Sequence, residues 1–346
     1  MFSSDNSLAL SRRTLLTGAA LQSAVRAAEV LRLPRTVRVA IIGTEGHVGE
    51  ITGPAKQNEA IKIVATSKDY PDYRKMLDVV KPDVVAVCNN NGERAAVILA
   101  CIDRKLNVIA EKPLALTMED LDRIQTGVKR TGVHLGMLLP MRYDPPYLAL
   151  RQIVQQGLIG EVAQIAAQKS YIAGKREAWY LKRATYGGSI AWIGIHMIDL
   201  MRYTSGREFR KVTGMQAHIG FPELGEMENV TTSLFQLDNG GLATLRMDYL
   251  RTPSAPTHGD DRLRLAGTKG IAEYQEATGV TLMTVDQKPH RIEQLPAQGS
   301  VFLDYLNEVY NGKPSGLTLN DIYRVTELTI GAQEAADKGT VVQWER

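Results

Sequence analysis

From Val37 onward, short apolar runs alternate with longer segments whose apolar residues recur at helical spacing, which predicts a parallel sheet flanked by helices. Strands are expected at 37–42, 61–66, 83–91, 107–110 and 132–138. The segment 92–105 carries Ala96, Leu99, Ala100 and Ile102 among its apolar positions and reads as an amphipathic helix. Thr117 followed by Asp120 resembles a capping box for a helix that runs to Lys129 and stops at Gly132. Only one short helix, 70–80, fits between the second and third strands, where a full doubly wound half has a helix and another strand. The first unit is therefore expected to be a Rossmann-type doubly wound parallel sheet with an abbreviated half.

After Pro140 the period changes. Residues 142–160 form a helical pattern stopped by glycines, and two-residue alternation then predicts strands at 161–172, 211–219, 231–237, 242–249, 262–266 and 271–274. The turns 238–241 and 267–270 are hairpin signals, so the second unit is an α+β domain with a large, mainly antiparallel open sheet. Between its strands, "YGGSIAWIGIHMIDLMRY" reads as a glycine-rich entry to a helix with His196 and Asp199 on one face. The expected organisation of this α/β protein is a leader over 1–36, a nucleotide-binding domain over 37–140 and a substrate-binding and oligomerisation domain over 141–346.

Charge changes the picture at one end only. The net charge of +3 is carried by 1–36, where Arg12, Arg13, Arg26, Arg32 and Arg35 face Asp5 and Glu29. The body is neutral, which argues against nucleic acid or an anionic surface as partner, and no segment is apolar enough to span a bilayer. "SRRTLL" at 11–16, followed by a weakly apolar stretch and a small-residue site at 25–27, reads as a twin-arginine export signal to the periplasm; without that route the protein is cytoplasmic. Cys88 and Cys101 fall in a strand and the helix after it, as structural thiols do. Neither they nor His258 with Asp260 and Asp261 have the spacing of a metal site.

The candidate chemistry lies after the strands of the first unit. "GTEGHVG" supplies Gly43, Gly46 and Gly49 for a backbone approach to pyrophosphate at a helix N-terminus, with the second glycine one residue late for G-x-G-x-x-G. The second strand ends in Ser67-Lys68, a hydroxyl and a cation that suit the 2′-phosphate of NADP, while nearby Asp69 leaves NAD open. Asn90 can reach the ribose or nicotinamide. Glu111-Lys112-Pro113 closes the fourth strand and puts a lysine where a nicotinamide ring can lie, with burial expected to lower its pKa toward the working range.

"RKLNVIAEKPLALT", "MRYDPPY" with "GLIGEV", "GGSIAWIGIHMIDLMRY", "LDNGGLATL" and "RLRLAGTKGIAEY" occur in one order, and with them the chain from Val37 onward resembles the glucose-fructose oxidoreductase, inositol dehydrogenase and rhizopine-catabolism family (Gfo/Idh/MocA). The resemblance implies NADP- or NAD-dependent hydride transfer on a sugar, polyol or related carbohydrate by a homo-oligomer. It implies Lys112 as the catalytic lysine, His196 as acid/base, and Asn90 and Glu111 beside the cofactor. Trp192 stands where inositol-dehydrogenase-like members have aspartate, a departure that suggests an indole stacked on a sugar face. Lys169, Tyr186 and Asp199 are further candidates at the substrate, Asp199 being better read as a structural partner of a backbone or arginine group than as a catalyst. Two alternatives stay open: glycoside cleavage through transient C3 oxidation with no net redox change, and an exported sugar-binding protein on a decayed dehydrogenase scaffold.

Overall fold

The computed structural model describes residues 31–345. The first unit runs β1 (Val37–Ile42), α1 (Gly49–Gln57), β2 (Ile61–Thr66), α2 (Tyr73–Val80), β3 (Val84–Val87), α3 (Asn91–Asp103), β4 (Asn107–Glu111), α4 (Met118–Thr131) and β5 (Leu135–Leu138). Its strands form one parallel sheet in the order β2-β1-β3-β4-β5. Every residue of β3 and β5 is buried, as a sheet covered on both faces requires. Helix entries are set by short polar side chains: Asp72 accepts from Arg74 N, Asn90 from Glu93 N and Thr117 from Asp120 N. Gly132, at φ +73°, closes α4 in the left-handed region. The chain leaves β1 toward one edge and returns past it to β3, so the sheet's switch point lies between these two strands, beside Gly43 and Asn89.

The fold begins earlier than expected. Leu31 and Leu33 pack against the core, Asn58 donates to the Leu31 carbonyl at 3.1 Å, and Arg35 grips Asp83 with two bonds of 2.8 Å. Residues 31–36 therefore pack on the folded body, where Leu31 and Leu33 find apolar cover. The twin-arginine pattern lies outside the described residues.

The second unit contains α5 (Pro145–Gln155), β6 (Val162–Ile172), α6 (Arg183–Tyr186), α7 (Ile195–Ser205), β7 (Phe209–Ala217), β8 (Val230–Leu237), β9 (Leu242–Arg251), β10 (Arg262–Gly267), β11 (Gly270–Gln275), β12 (Gly279–Thr284), β13 (Gln287–Arg291), α8 (Val301–Asn311), α9 (Leu319–Lys338) and β14 (Val342–Gln343). The nine strands are ordered β13-β12-β11-β10-β6-β9-β8-β7-β14, antiparallel except for the central β6–β9 pair. In β9, Ala243, Leu245, Met247 and Tyr249 are buried while Leu242, Thr244, Arg246 and Leu250 face outward. Helices α5, α7 and α9 cover one face. The hairpin β12–β13 and the helices α8 and α9 extend the expected scheme. Both helices pack back on the first unit, α8 on α1 and β5 and α9 on α4 and β5, so the C-terminal segment braces the two sheets together.

Candidate active site

β4 delivers Glu111 and Lys112 to the carboxyl end of the first sheet, and both side chains are buried, Lys112 to 1% exposure. The turn after β4 is held from beneath by Arg94 of α3. This fully buried guanidinium donates to the Asn91 side chain at 2.7 Å, to the Lys112 and Pro113 carbonyls at 2.9 and 3.0 Å, and to the Asn89 carbonyl. Burial lowers the Arg94 pKa to about 10. Sequence reasoning missed it, since a basic residue on a helix normally marks the solvated face; its place three residues after Asn91 was the available signal.

Opposite stands the second unit. A single π-helical turn, Ile190–Gly194, leads into α7 and presents Trp192 and His196 to the end of β4. The Lys112 ammonium donates to the Trp192 carbonyl and sits 3.3 Å from the centroid of its ring. Trp179 and Tyr180 meet that indole edge-on at 5.2 and 5.7 Å. Burial, with Arg94 and Lys169 in support, lowers the Lys112 pKa to about 7 against the opposing pull of Glu111. Burial first, then the charges of Lys112, His47 and Lys169, hold His196 well below the usual histidine range, and its Nδ1 is buried without a partner. The result is an amine near half-neutrality at pH 7 beside a neutral imidazole. Such a pair can take up or deliver a proton at one oxygen.

His47, from the glycine turn, was not singled out by the sequence. Its Nδ1 lies 2.8 Å from Glu111 Oε1, its backbone N–H donates to Oε2 at 3.2 Å, and its ring is 5.0 Å from that of His196. Burial alone would raise the Glu111 carboxyl; His47, Lys112 and Arg94 together keep it below its ordinary value.

Matches to known families decide the identity of this scaffold. Residues 44–138 match "Oxidoreductase family, NAD-binding Rossmann fold", and residues 147–273 match "GFO/IDH/MocA C-terminal domain". The chain belongs to the Gfo/Idh/MocA family. A myo-inositol 2-dehydrogenase of Thermotoga maritima is 26% identical over 249 residues, 71% of this chain and 70% of the relative. A D-glucoside 3-dehydrogenase of Escherichia coli is 29% identical over 199 residues, 52% of this chain and 56% of the relative, so the match spans little more than half of that enzyme. A solved oxidoreductase structure from Thermotoga maritima has a TM-score of 0.82 at 29% identity, covering 89% of this chain and 100% of that one. As a member of the Gfo/Idh/MocA family the protein is an oxidoreductase with an NAD-binding Rossmann fold.

The glycine turn of this Gfo/Idh/MocA protein suits a dinucleotide. At Gly43, φ is +82° and a Cβ would lie 2.2 Å from the Cys88 carbonyl oxygen, so only glycine closes the turn on β3. At Gly49, which opens α1, nothing lies within 4 Å of an added Cβ, leaving the helix N-terminus open to an anion. Gly46, at φ +66°, instead packs on Glu111. Ser67 accepts from Gly43 N at 3.0 Å, tying β2 to the turn. Lys68 is exposed, and Asp69 is engaged by Thr66 through N–H and hydroxyl at 3.2 and 2.8 Å. Asn90 caps α3 and donates to Glu93 Oε2 at 3.1 Å. Gly43, Gly49, Ser67, Lys68 and Asn90 are thus the candidates for holding the cofactor.

Two substrate-side expectations need correction, and Asp199 takes the arginine partner expected of it. Asp199 does not face the site: both its oxygens are taken by Arg142, through Nε at 3.0 Å and through the terminal nitrogen, because the buried guanidinium needs a counter-charge. Tyr186 is fully buried, with its hydroxyl paired to Tyr249 at 3.1 Å and Ser189 at 3.4 Å. Trp192 has its ring face on Lys112 and not free for a sugar. Lys169 does approach the centre from β6, bonded to Asp261 at 2.7 Å. Burial works against its charge, but Asp261 outweighs burial and raises the pKa.

Proposed function

We propose that the protein transfers hydride between a nicotinamide cofactor and a sugar, polyol or related carbohydrate, with Lys112 exchanging the proton of the reacting oxygen and His196 assisting. One observation carries this reading: a buried lysine with a pKa of about 7 stands at the carboxyl end of β4, facing a neutral, partly unsatisfied histidine from the second unit. The cofactor, when bound, supplies the two-electron acceptor or donor. In oxidation, neutral Lys112 accepts the hydroxyl proton; in reduction, its ammonium donates to the carbonyl oxygen. The relatives named as inositol and glucoside dehydrogenases support a polyhydroxylated substrate.

The exposed Lys68 beside Ser67, with the Asp69 carboxylate engaged by Thr66, favours NADP over NAD. Outward-facing Met215, Leu234, Leu242 and Leu250 on the uncovered sheet face support a homo-oligomer. The "SRRTLL" pattern supports export by the twin-arginine route to the periplasm.

The test is a fluorescence titration of the folded protein with NADPH and NADH, followed by a sugar and aryl-glycoside screen. Lys112→Met should keep cofactor binding and lose turnover by about a hundredfold or more. Unchanged turnover removes the lysine from the mechanism. Aglycone release without net nicotinamide change assigns the redox-neutral glycosidase chemistry. Sugar binding with no nicotinamide binding assigns a non-catalytic carbohydrate-binding protein.

A further inference from the structure

The late glycine of the fingerprint has a physical counterpart in the site. An added Cβ at Gly46 would lie 2.6 Å from Glu111 Cδ and Oε1, so this glycine leaves the space into which the Glu111 carboxylate fits. The residue after it, His47, then meets that carboxylate with both its backbone N–H and its ring Nδ1. Lys112 and Glu111 are sealed from solvent, and His196 nearly so at 5% exposure. The His47 side chain keeps 30% of its surface open. It is therefore the member of this group that touches both the buried centre and water.

We propose that His47 is a positioning residue that completes a Glu111–His47–His196 chain, through which the buried histidine exchanges its proton with solvent during the proposed hydride transfer. The inference rests on that functional reading. Glu111 accepts from Nδ1–H of His47, which fixes the tautomer and leaves Nε2 as the acceptor. The proton that Lys112 takes from the reacting oxygen is handed through His196 to His47 Nε2, forms an imidazolium paired with Glu111, and leaves to water from the open edge. No electrons move in this relay, and the Glu111 carboxylate stays ionised throughout. The charged and titratable groups facing His47 are Glu111 on β4, Glu50 on α1, Asp144 before α5 and His196 on α7.

The experiment compares wild type, His47→Asn and His47→Ala in the full chain. Asn can still hydrogen-bond Glu111 but cannot carry a proton, so it separates relay from turn support. With nitrogen-15 labelled histidines, the exchange of the His196 ring proton with water is expected to slow by on the order of tenfold or more in both variants. With a sugar that supports turnover, kcat falls at unchanged KM, and added imidazole restores it in His47→Ala, whose site has room for the buffer. Wild-type exchange rates in His47→Asn, or full activity in that variant, overturn the relay and leave His47 as a turn residue. If no sugar is turned over by wild type, the hydride-transfer reading fails by itself, while the exchange measurement still decides whether the chain of groups conducts a proton.

Discussion

The Lys112 ammonium lies 3.3 Å from the centroid of the Trp192 ring and donates to the carbonyl of the same residue. One residue of the second unit therefore supplies both the apolar cover and the hydrogen bond that hold the amine of the first. Only 1% of Lys112 is left open to solvent.

Replacing Trp192 by leucine should uncover that amine. Acylation of Lys112 at pH 9.5, where the amine is largely neutral when buried and appreciably so when exposed, is expected to accelerate by about tenfold, following its new access to solvent. Peptide mapping by mass spectrometry after timed labelling measures it. An unchanged rate would show that the indole does not shield the lysine.

Lys112→Met should stabilise the protein at low pH and lose that advantage at high pH. The folded amine has its pKa lowered to about 7 from 10.5, so below pH 7 the folded state must bury a charge. As pH rises from about 7 to 10.5 the unfolded chain holds the proton longer, and wild-type stability climbs relative to the variant. The difference between pH 6 and pH 10 is expected to be on the order of a few kcal/mol. Urea denaturation at the two pH values checks both sign and size.

Gly46→Ala should cost about 1–3 kcal/mol, since the new methyl meets the Glu111 carboxylate and the backbone is left-handed there. The His47–Glu111 bond should loosen with it. Denaturant midpoints and the His47 ring resonances report the two effects.

Asp199→Ala leaves the buried Arg142 with Asp321 as its remaining carboxylate, at 3.0 Å. A destabilisation of about 3–5 kcal/mol is expected. Cofactor affinity of the surviving folded fraction should stay within about twofold, because the pair braces the fold and does not touch the nucleotide turn. A large selective loss of cofactor affinity would contradict the structural role.

Lys68→Ala should weaken NADPH binding by about tenfold, the size of one charge-assisted contact, and leave NADH nearly unchanged. Parallel fluorescence titrations decide it. Equal effects on both cofactors would remove Lys68 from phosphate selection.

The alternation of apolar runs was enough to read the parallel sheet, the change of period after Pro140 and the open second sheet, because each reflects a burial pattern local to one element. The glycine turn, Lys112 and the helix carrying His196 were legible for the same reason: each is a short motif tied to a strand end or helix start. Family resemblance added an ordering that composition could not supply.

Tertiary structure alone decided which side chains meet. The buried Arg94 under the Lys112 turn, the Trp192 ring on the ammonium and the His47–Glu111 bond join residues 18, 80 and 64 positions apart, and no local period encodes such contacts. It also turned Asp199 toward Arg142, drew 31–36 into the fold and sent α8 and α9 back across the first sheet. By itself the sequence determined the elements, the scaffold and the type of groups at the strand ends. Packing determined their partners and protonation, since burial and the neighbouring charges that set a pKa exist only once the two sheets come together.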